Sequence, residues 1–347
     1  MRPSPSWAAP RSIASSGHLP GRGPPHYDAP MTPAGLIFDN RITRLLGVEI
    51  PVVQAPMGWI ARSRLASAVS SAGGLGIIET SSGELDAFVR EVGAMRELTS
   101  RPFGVNIAQN LVRDDSIIDV VVDAGVRFVT TSAGDPNRFT TRLKAADLTV
   151  FHVVPTLRGA LKAVEAGVDG LVVEGIEGGG FKTPEGASTM VLLPLIRSQV
   201  DVPIIAAGGV VDGRTMAAAF VLGAEGVQLG TRFVASVESP VHDNWKQAIV
   251  DTAETGTLLL NRFAKPGMRA LRTERTTRLE QETGNVWGQF GSPADLYFGG
   301  DMEAAIPMAG QGAGRIDGVL PVAEILAGLV DGFADALGAT ADQYLRG

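Results

Sequence analysis

Glu174-Gly-Ile-Glu-Gly-Gly-Gly-Phe-Lys182 is the stretch whose residue types could do chemistry, with two carboxylates, an ammonium and three consecutive glycines close together. Adjacent glycines let backbone approach a ligand where a Cβ would collide, and they accept positive φ. Taken alone, Gly178-Gly179-Gly180 also reads as a plain surface loop. Two later stretches repeat the same grammar of an apolar strand ending in glycine before a helix start: Ile204-Ile-Ala-Ala-Gly-Gly-Val-Val-Asp-Gly-Arg214 and Gly226-Val-Gln-Leu-Gly-Thr-Arg-Phe233. Three successive strands of this kind point to a phosphate-bearing ligand lying across their carboxyl ends. Backbone N–H groups and the N-terminus of the helix after the last strand can hold such an anion without lysine.

These glycines need a scaffold, and the chain supplies one as a long alternation of short Val/Ile-rich runs and helical segments. The runs are Val52 to Gln54, Leu75 to Ile78, Phe103 to Asn106, Phe128 to Thr131, Val150 to Val154, Gly170 to Val173, Ile204 to Ala206 and Val227 to Leu229. Helical patterns follow near Ser63 to Ser71, Glu84 to Leu98 and Ser116 to Asp123, then from Asp135-Pro136 to Ala146. Others cover Leu157 to Ala166, Met190 to Ser198 and Gly213 to Leu222. Strands alternating with helices imply a parallel sheet, and eight such units closing on themselves imply an α/β fold of the (β/α)8 TIM-barrel type. A doubly wound open sheet is the alternative. Gln54-Ala-Pro-Met-Gly58 stands where that fold would carry G-x-G-x-x-G. In a barrel the chemistry sits at the carboxyl ends of the strands.

Boundaries follow from texture. Residues 1–34 are rich in proline, without periodicity, and read as a disordered extension. The barrel spans 35–238. Residues 239–319 form a lid or substrate region, opening with a helix from about Ser239 to Ala253 and containing a basic run (Arg262, Lys265, Arg269, Arg272, Arg275, Arg278). That run is either a solvated flank or a landing site for an anionic cofactor or carrier. The glycine-rich residues 299–319 suit a lid. Residues 320–347 carry a helix, from Val322 to Leu337, that packs back on the barrel.

Composition excludes several classes. The 347 residues are 45% apolar and 19% charged, as in a soluble globular protein. No apolar run reaches the ~18 residues of a membrane span. A net charge of −7 argues against general nucleic-acid binding. The absence of cysteine removes disulfides, thiolate metal sites and cysteine nucleophiles. No metal site is expected, and no secretory signal is evident at the N-terminus, so a cytoplasmic location is expected.

Six motifs in order carry a resemblance. Gln54-Ala-Pro-Met-Gly-Trp59, Ala72-Gly-Gly-Leu-Gly76, Arg101-Pro-Phe-Gly-Val-Asn106, Ile204 to Gly209 with Asp212-Gly-Arg214, Leu229-Gly-Thr-Arg-Phe233 and Glu238-Ser-Pro-Val-His242 resemble the nitronate monooxygenase (2-nitropropane dioxygenase) family. The set is also similar to the FMN-dependent enoyl-acyl-carrier-protein reductases. The resemblance implies a barrel that binds FMN at its C-terminal mouth. Pro56, Met57 and Gly58 would pass beside the flavin ring, with Asn106 near it. Glu174 falls where the family has an acidic residue near the cofactor, Gly179 and Gly180 line the loop, and Gly208, Gly209, Gly230 and Thr231 would hold the phosphate.

One departure bears on the chemistry. Characterised members end the glycine loop in a histidine that moves a proton; here the position is Phe181. Phenylalanine cannot do so, and positioned acid–base groups are typically worth ~10²–10⁴ in rate. Candidates to replace it are Lys182 and His152, the latter on the fifth strand with its face undetermined; Glu177 is a further polar group at the mouth. His242 is structural or near the phosphate, and Asp212 is an N-cap.

The resemblance therefore implies an FMN-dependent oxidoreductase of the nitronate monooxygenase type, oxidising alkyl nitronates with O2. A pre-ionised nitronate needs no protein base. The alternative is an NAD(P)H-dependent flavin reductase acting on an enoyl thioester or a quinone, with NAD(P)H as co-substrate and an acyl carrier as partner. A third reading is a barrel that binds FMN or another phosphate ligand without turnover, as a sensor or a relic. The substrate is a small molecule, and a homodimer is a further expectation.

Overall fold

The computed structural model describes residues 36–83, 85–112 and 115–345. The expected disordered extension, residues 1–34, lies outside the described residues. Among the described residues eleven strands run in chain order: β1 (Val52–Gln54), β2 (Gly76–Glu79), β3 (Phe103–Ala108), β4 (Phe128–Ser132), β5 (Thr149–Val154), β6 (Gly170–Glu174), β7 (Gly180–Lys182), β8 (Ile204–Ala207), β9 (Gly226–Leu229), β10 (Thr257–Leu260) and β11 (Gly267–Leu271).

Eight of them form one parallel sheet in the order β1-β9-β8-β6-β5-β4-β3-β2. Its two ends meet through a parallel bridge between Val53 and Leu75, with Leu75 donating to the Val52 carbonyl and Gln54 donating to that of Leu75. The sheet is thus a (β/α)8 barrel. The strands that the sequence predicts are these eight, to within one or two residues at each end.

Parallel strands buried on both faces read as continuous apolar runs, and alternation still sorts their side chains. Val53, Ile77, Phe128, Phe151, Val172 and Ile205 point into the barrel, where the Phe128 and Phe151 rings meet edge to face at 5.3 Å. Ile78, Val105, Val129, Val150, Val173 and Val227 point outward into the main core beneath the helices. The short helix Arg41–Leu46, with an Asn40 capping box, brings Ile42 and Leu46 into the inner cluster. Helix Val322–Tyr344, seven residues longer than its predicted end, packs chiefly on helix Gly213–Val221.

Local rules account for several helix starts. Thr156 accepts from Gly159 N, and Asp212 forms a capping box with Thr215. Asp135 caps only a short 3-10 turn, Pro136–Arg138, and the α-helix begins afresh at Thr140. The helix expected from Ser239 begins at Asp243 and ends at Val250, because His242 is its cap.

The glycine loop is not free. Gly180–Lys182 is a strand that pairs antiparallel with β11, which pairs with β10, so a hairpin from the region after the barrel grips the loop. No helix among the described residues is long and apolar enough to cross a membrane.

Candidate functional site

At the carboxyl ends of the strands lies a cavity of about 1300 Å³. Every site residue expected from the sequence lines it: Pro56, Met57 and Gly58 after β1, Asn106 in β3, Glu174 closing β6, Gly179 to Lys182, Gly208 and Gly209 after β8, and Gly230 and Thr231 after β9. The order of strands in the barrel is what makes one rim of segments far apart in sequence.

Backbone conformation builds one wall. Gly208 and Gly209 have φ of +91° and +78°, and a Cβ on Gly208 would come within 3.0 Å of the Gly175 carbonyl oxygen and 3.2 Å of Gly178 N. Only glycine permits the turn and the close approach of the glycine loop together. Thr231 begins a one-turn helix, Thr231–Val234, and its hydroxyl accepts from Gly310 N at 2.8 Å. Gln311 N donates to Glu177 O. The glycine-rich segment after residue 299 is thereby fixed against the cavity wall.

Glu174 and Lys182 form the ion pair of the site. Lys182 Nζ donates to Glu174 Oε1 at 2.5 Å, with the lysine side chain 4% exposed and the carboxylate 25% exposed. Glu174 ends β6 and Lys182 ends β7, so the pair depends on the loop's turn and on the grip of β11. A Cβ on Gly178 would lie 2.7 Å from Glu174 Oε1 and 2.9 Å from Lys182 Nζ, which is why the loop passes the pair as glycine. Glu177, by contrast, caps helix Thr189–Arg197, accepting from Thr189 N at 2.9 Å.

Phe181, 41% exposed, lies in the cavity wall with its ring 5.1 Å from that of Trp287. Its strand partner is Met268. Trp245, Tyr297 and Met308 line the same cavity, the first two with ring centroids 4.7 Å apart. Gln228, in β9, is 6% exposed, and its Oε1 has no hydrogen-bond partner among the described residues. The sequence reading missed Gln228, Trp245, Trp287 and Tyr297. Gln228 stands between two glycine-ended motif positions and was the legible one; Trp245 sits in the helix expected after Ser239, and Trp287 and Tyr297 come from a region with no periodic signal.

The structure places three sets of residues whose role the sequence left open. His152 faces outward: Phe151 and Val153 belong to the barrel interior, Val150 and Val154 to the outer core. Its Nδ1 lies 2.7 Å from Thr131 Oγ1 and the ring bonds the Gly134 backbone, so it touches the cavity from the side with its nitrogens engaged. Burial depresses its pKa to about 4, against the opposing pull of Asp135, so the ring is neutral near pH 7. His242 is structural: its Nδ1 accepts from Asn244 N at 3.1 Å as a helix cap. The basic run forms no single face. Arg269 is buried, donates to the Ile176 carbonyl at 2.8 Å and is held below the usual arginine range by burial. Arg262 and Arg272 share Glu280, and Arg275 binds the carbonyls of Gln289 and Glu303. Asp212 is a cap, as read, and pairs with Arg315.

Comparison with known proteins agrees with this architecture. The family model for nitronate monooxygenase matches residues 39–115 and 107–332. A Mycobacterium tuberculosis protein, (3aS,4S,5R,7aS)-5-hydroxy-7a-methyl-1-oxo-octahydro-1H-indene-4-carboxyl-CoA dehydrogenase, is 37% identical over 69% of this chain and 68% of its own. A probable nitronate monooxygenase of Staphylococcus aureus is 30% identical over 71% of this chain and 82% of its own. Among solved structures, FabK from Thermotoga maritima superposes with a TM-score of 0.84 at 36% identity, covering 88% of this chain and 99% of that one. With its barrel, its glycine-walled mouth and these matches along most of its length, the chain belongs to the nitronate monooxygenase family of oxidoreductases.

Proposed function

We propose that the chain is an FMN-dependent oxidoreductase whose substrate is an acyl thioester with a bulky, largely apolar acyl group. The observation that carries this reading is the cavity: about 1300 Å³ exceeds the ~300–1,000 Å³ of a pocket built for one ligand. Cofactor and a large substrate can lie in it together. Its aromatic wall of Phe181 on Trp287 suits a ring system and offers no proton at the place where characterised relatives carry histidine. The M. tuberculosis relative, whose name specifies a bicyclic acyl-CoA, supports the same substrate class.

The residues present fit FMN. Gly208, Gly209, Gly230 and Thr231 would hold its phosphate, and Pro56, Met57 and Gly58 would flank the ring with Asn106. Gln228 Oε1, buried without a partner, is an acceptor waiting for a donor. When bound, FMN accepts or returns the hydride. A substrate that gives up a hydride also gives up a proton. Glu174 is the group we assign to take it, through Oε2, which makes no hydrogen bond among the described residues while Oε1 is held by Lys182. Lys182 orients the carboxylate, and the loop packed against residues 309 and 310 belongs to a wall that leaves the lysine side chain only 4% exposed.

A second reading, oxidation of an alkyl nitronate with O2, is favoured by Phe181 itself, because an ionised nitronate requires no base. Run in reverse with NAD(P)H as hydride source, the first reading becomes enoyl thioester reduction. An anaerobic visible spectrum of the flavin-loaded protein separates them. Bleaching by the bicyclic acyl-CoA named above supports the first, bleaching only by propyl-2-nitronate the second, and bleaching by NADH or NADPH the reductase. A protein that cannot be loaded with FMN overturns all three.

A further inference from the structure

Anionic ligands large enough to project from the cavity need recognition at its rim, and the described ionisable residues there divide cleanly. Glu174 is paired with Lys182, Glu177 caps a helix, and Lys162 is paired with Asp135 at 2.7 Å. Arg158 and Lys265 line the cavity, are exposed, and make no ion pair or hydrogen bond among the described residues. In a protein of net charge −7, the rim charges left without a partner are both positive.

Lys265 sits on the connection of the β10–β11 hairpin two residues after Phe263, which is 91% exposed. An aromatic ring so exposed gains nothing in folding, and nothing in the described residues covers it. The turn that presents it is firmly built. Asn261, 7% exposed with φ +55°, donates through Nδ2 to the Pro266 carbonyl at 2.9 Å and to Asn285 Oδ1 at 3.0 Å, and its Oδ1 accepts from Val286 N at 2.9 Å. Ala264 N closes the turn on the Asn261 carbonyl. A rigid turn carrying one bare aromatic face and one bare ammonium, at the edge of a cavity, is matched to a ligand that has a flat base next to phosphate groups.

We propose that the hairpin tip, Phe263 and Lys265, together with Arg158, binds the nucleotide end of coenzyme A: the adenine stacks on Phe263 and the phosphates meet Lys265 and Arg158, while the pantetheine arm enters the cavity. This deepens the thioester reading and rests on it for substrate class. The adenine-diphosphate chemistry is shared by NADPH, and the test keeps the two apart. Nothing in the tip selects a carrier protein, whose phosphopantetheine arm has neither the base nor the diphosphate.

The test is equilibrium binding by calorimetry to the FMN-loaded full chain, with coenzyme A, pantetheine and NADPH as separate probes. The expected result is that coenzyme A binds at least tenfold more tightly than pantetheine. Phe263→Ala and Lys265→Ala should each weaken coenzyme A by roughly three- to tenfold and leave pantetheine unchanged, as loss of one stacking surface or one phosphate contact requires. Both residues are exposed, so neither variant threatens folding. Equal affinity for coenzyme A and pantetheine overturns the proposal, as do variants that leave coenzyme A unchanged or weaken NADPH alone. Because binding is read without turnover, a protein that binds coenzyme A in this way yet oxidises no thioester would sink the catalytic reading and spare the tip.

Discussion

Replacing Glu174 with glutamine tests how far the ion pair underlies the site. Lys182 is 4% exposed, and its ammonium has Glu174 as its charge partner. Leaving one buried charge without its counter-ion costs ~3–5 kcal/mol. The glutamine oxygen still accepts one hydrogen bond and the carboxylate side is a quarter open to water, so about 2–3 kcal/mol is expected here. At roughly 2–4 °C per kcal/mol, that lowers the melting temperature by about 4–12 °C. Lys182→Met should cost less, ~1 kcal/mol, because the stranded carboxylate reaches solvent, and the double variant should recover part of the Glu174→Gln loss. The assay is thermal unfolding at pH 7 followed by circular dichroism. A Glu174→Gln loss below about 0.5 kcal/mol, the worth of an exposed pair, would refute the reasoning.

Gly208→Ala, forced to φ +91° against the Gly175 carbonyl, should keep its circular dichroism yet lose bound FMN on gel filtration, since a non-glycine residue there costs ~1–3 kcal/mol. His152, held at about 4 by burial, is depressed below its unfolded value. It therefore contributes stability that is present above pH 6.5 and lost as pH falls toward 4, by roughly 3 kcal/mol; His152→Gln should flatten that slope in urea titrations at pH 7, 5.5 and 4.5. Phe181→His should bring turnover of neutral nitroalkanes up by ~10² if the missing base limits the pocket, measured as oxygen uptake. Trp287→Ala removes the ring behind Phe181 and should raise KM for a cyclic acyl thioester several-fold, with ~0.5–1.5 kcal/mol of aromatic contact gone, while a short straight-chain thioester is unaffected.

The amino-acid sequence by itself determined the eight strands and their glycine ends. Those signals are local: an apolar run buried on both faces, a glycine that must turn, a cap such as Asp212 within one helical turn of Thr215. Chain order then sufficed to bring Pro56, Asn106, Glu174, Gly208 and Gly230 to one mouth, because a closed parallel barrel puts all its carboxyl ends on one side. What the tertiary structure alone decided depends on long-range pairing. That β11 grips Gly180–Lys182, a separation of more than eighty residues, has no periodic trace, yet it sets the Glu174–Lys182 pair. The arginines after residue 260 look like one basic face in sequence, but Arg269 turns inward to the Ile176 carbonyl and others find Glu280. The face of His152 was undetermined for the same reason: alternation gives two sides, and only barrel closure says which of them is inside.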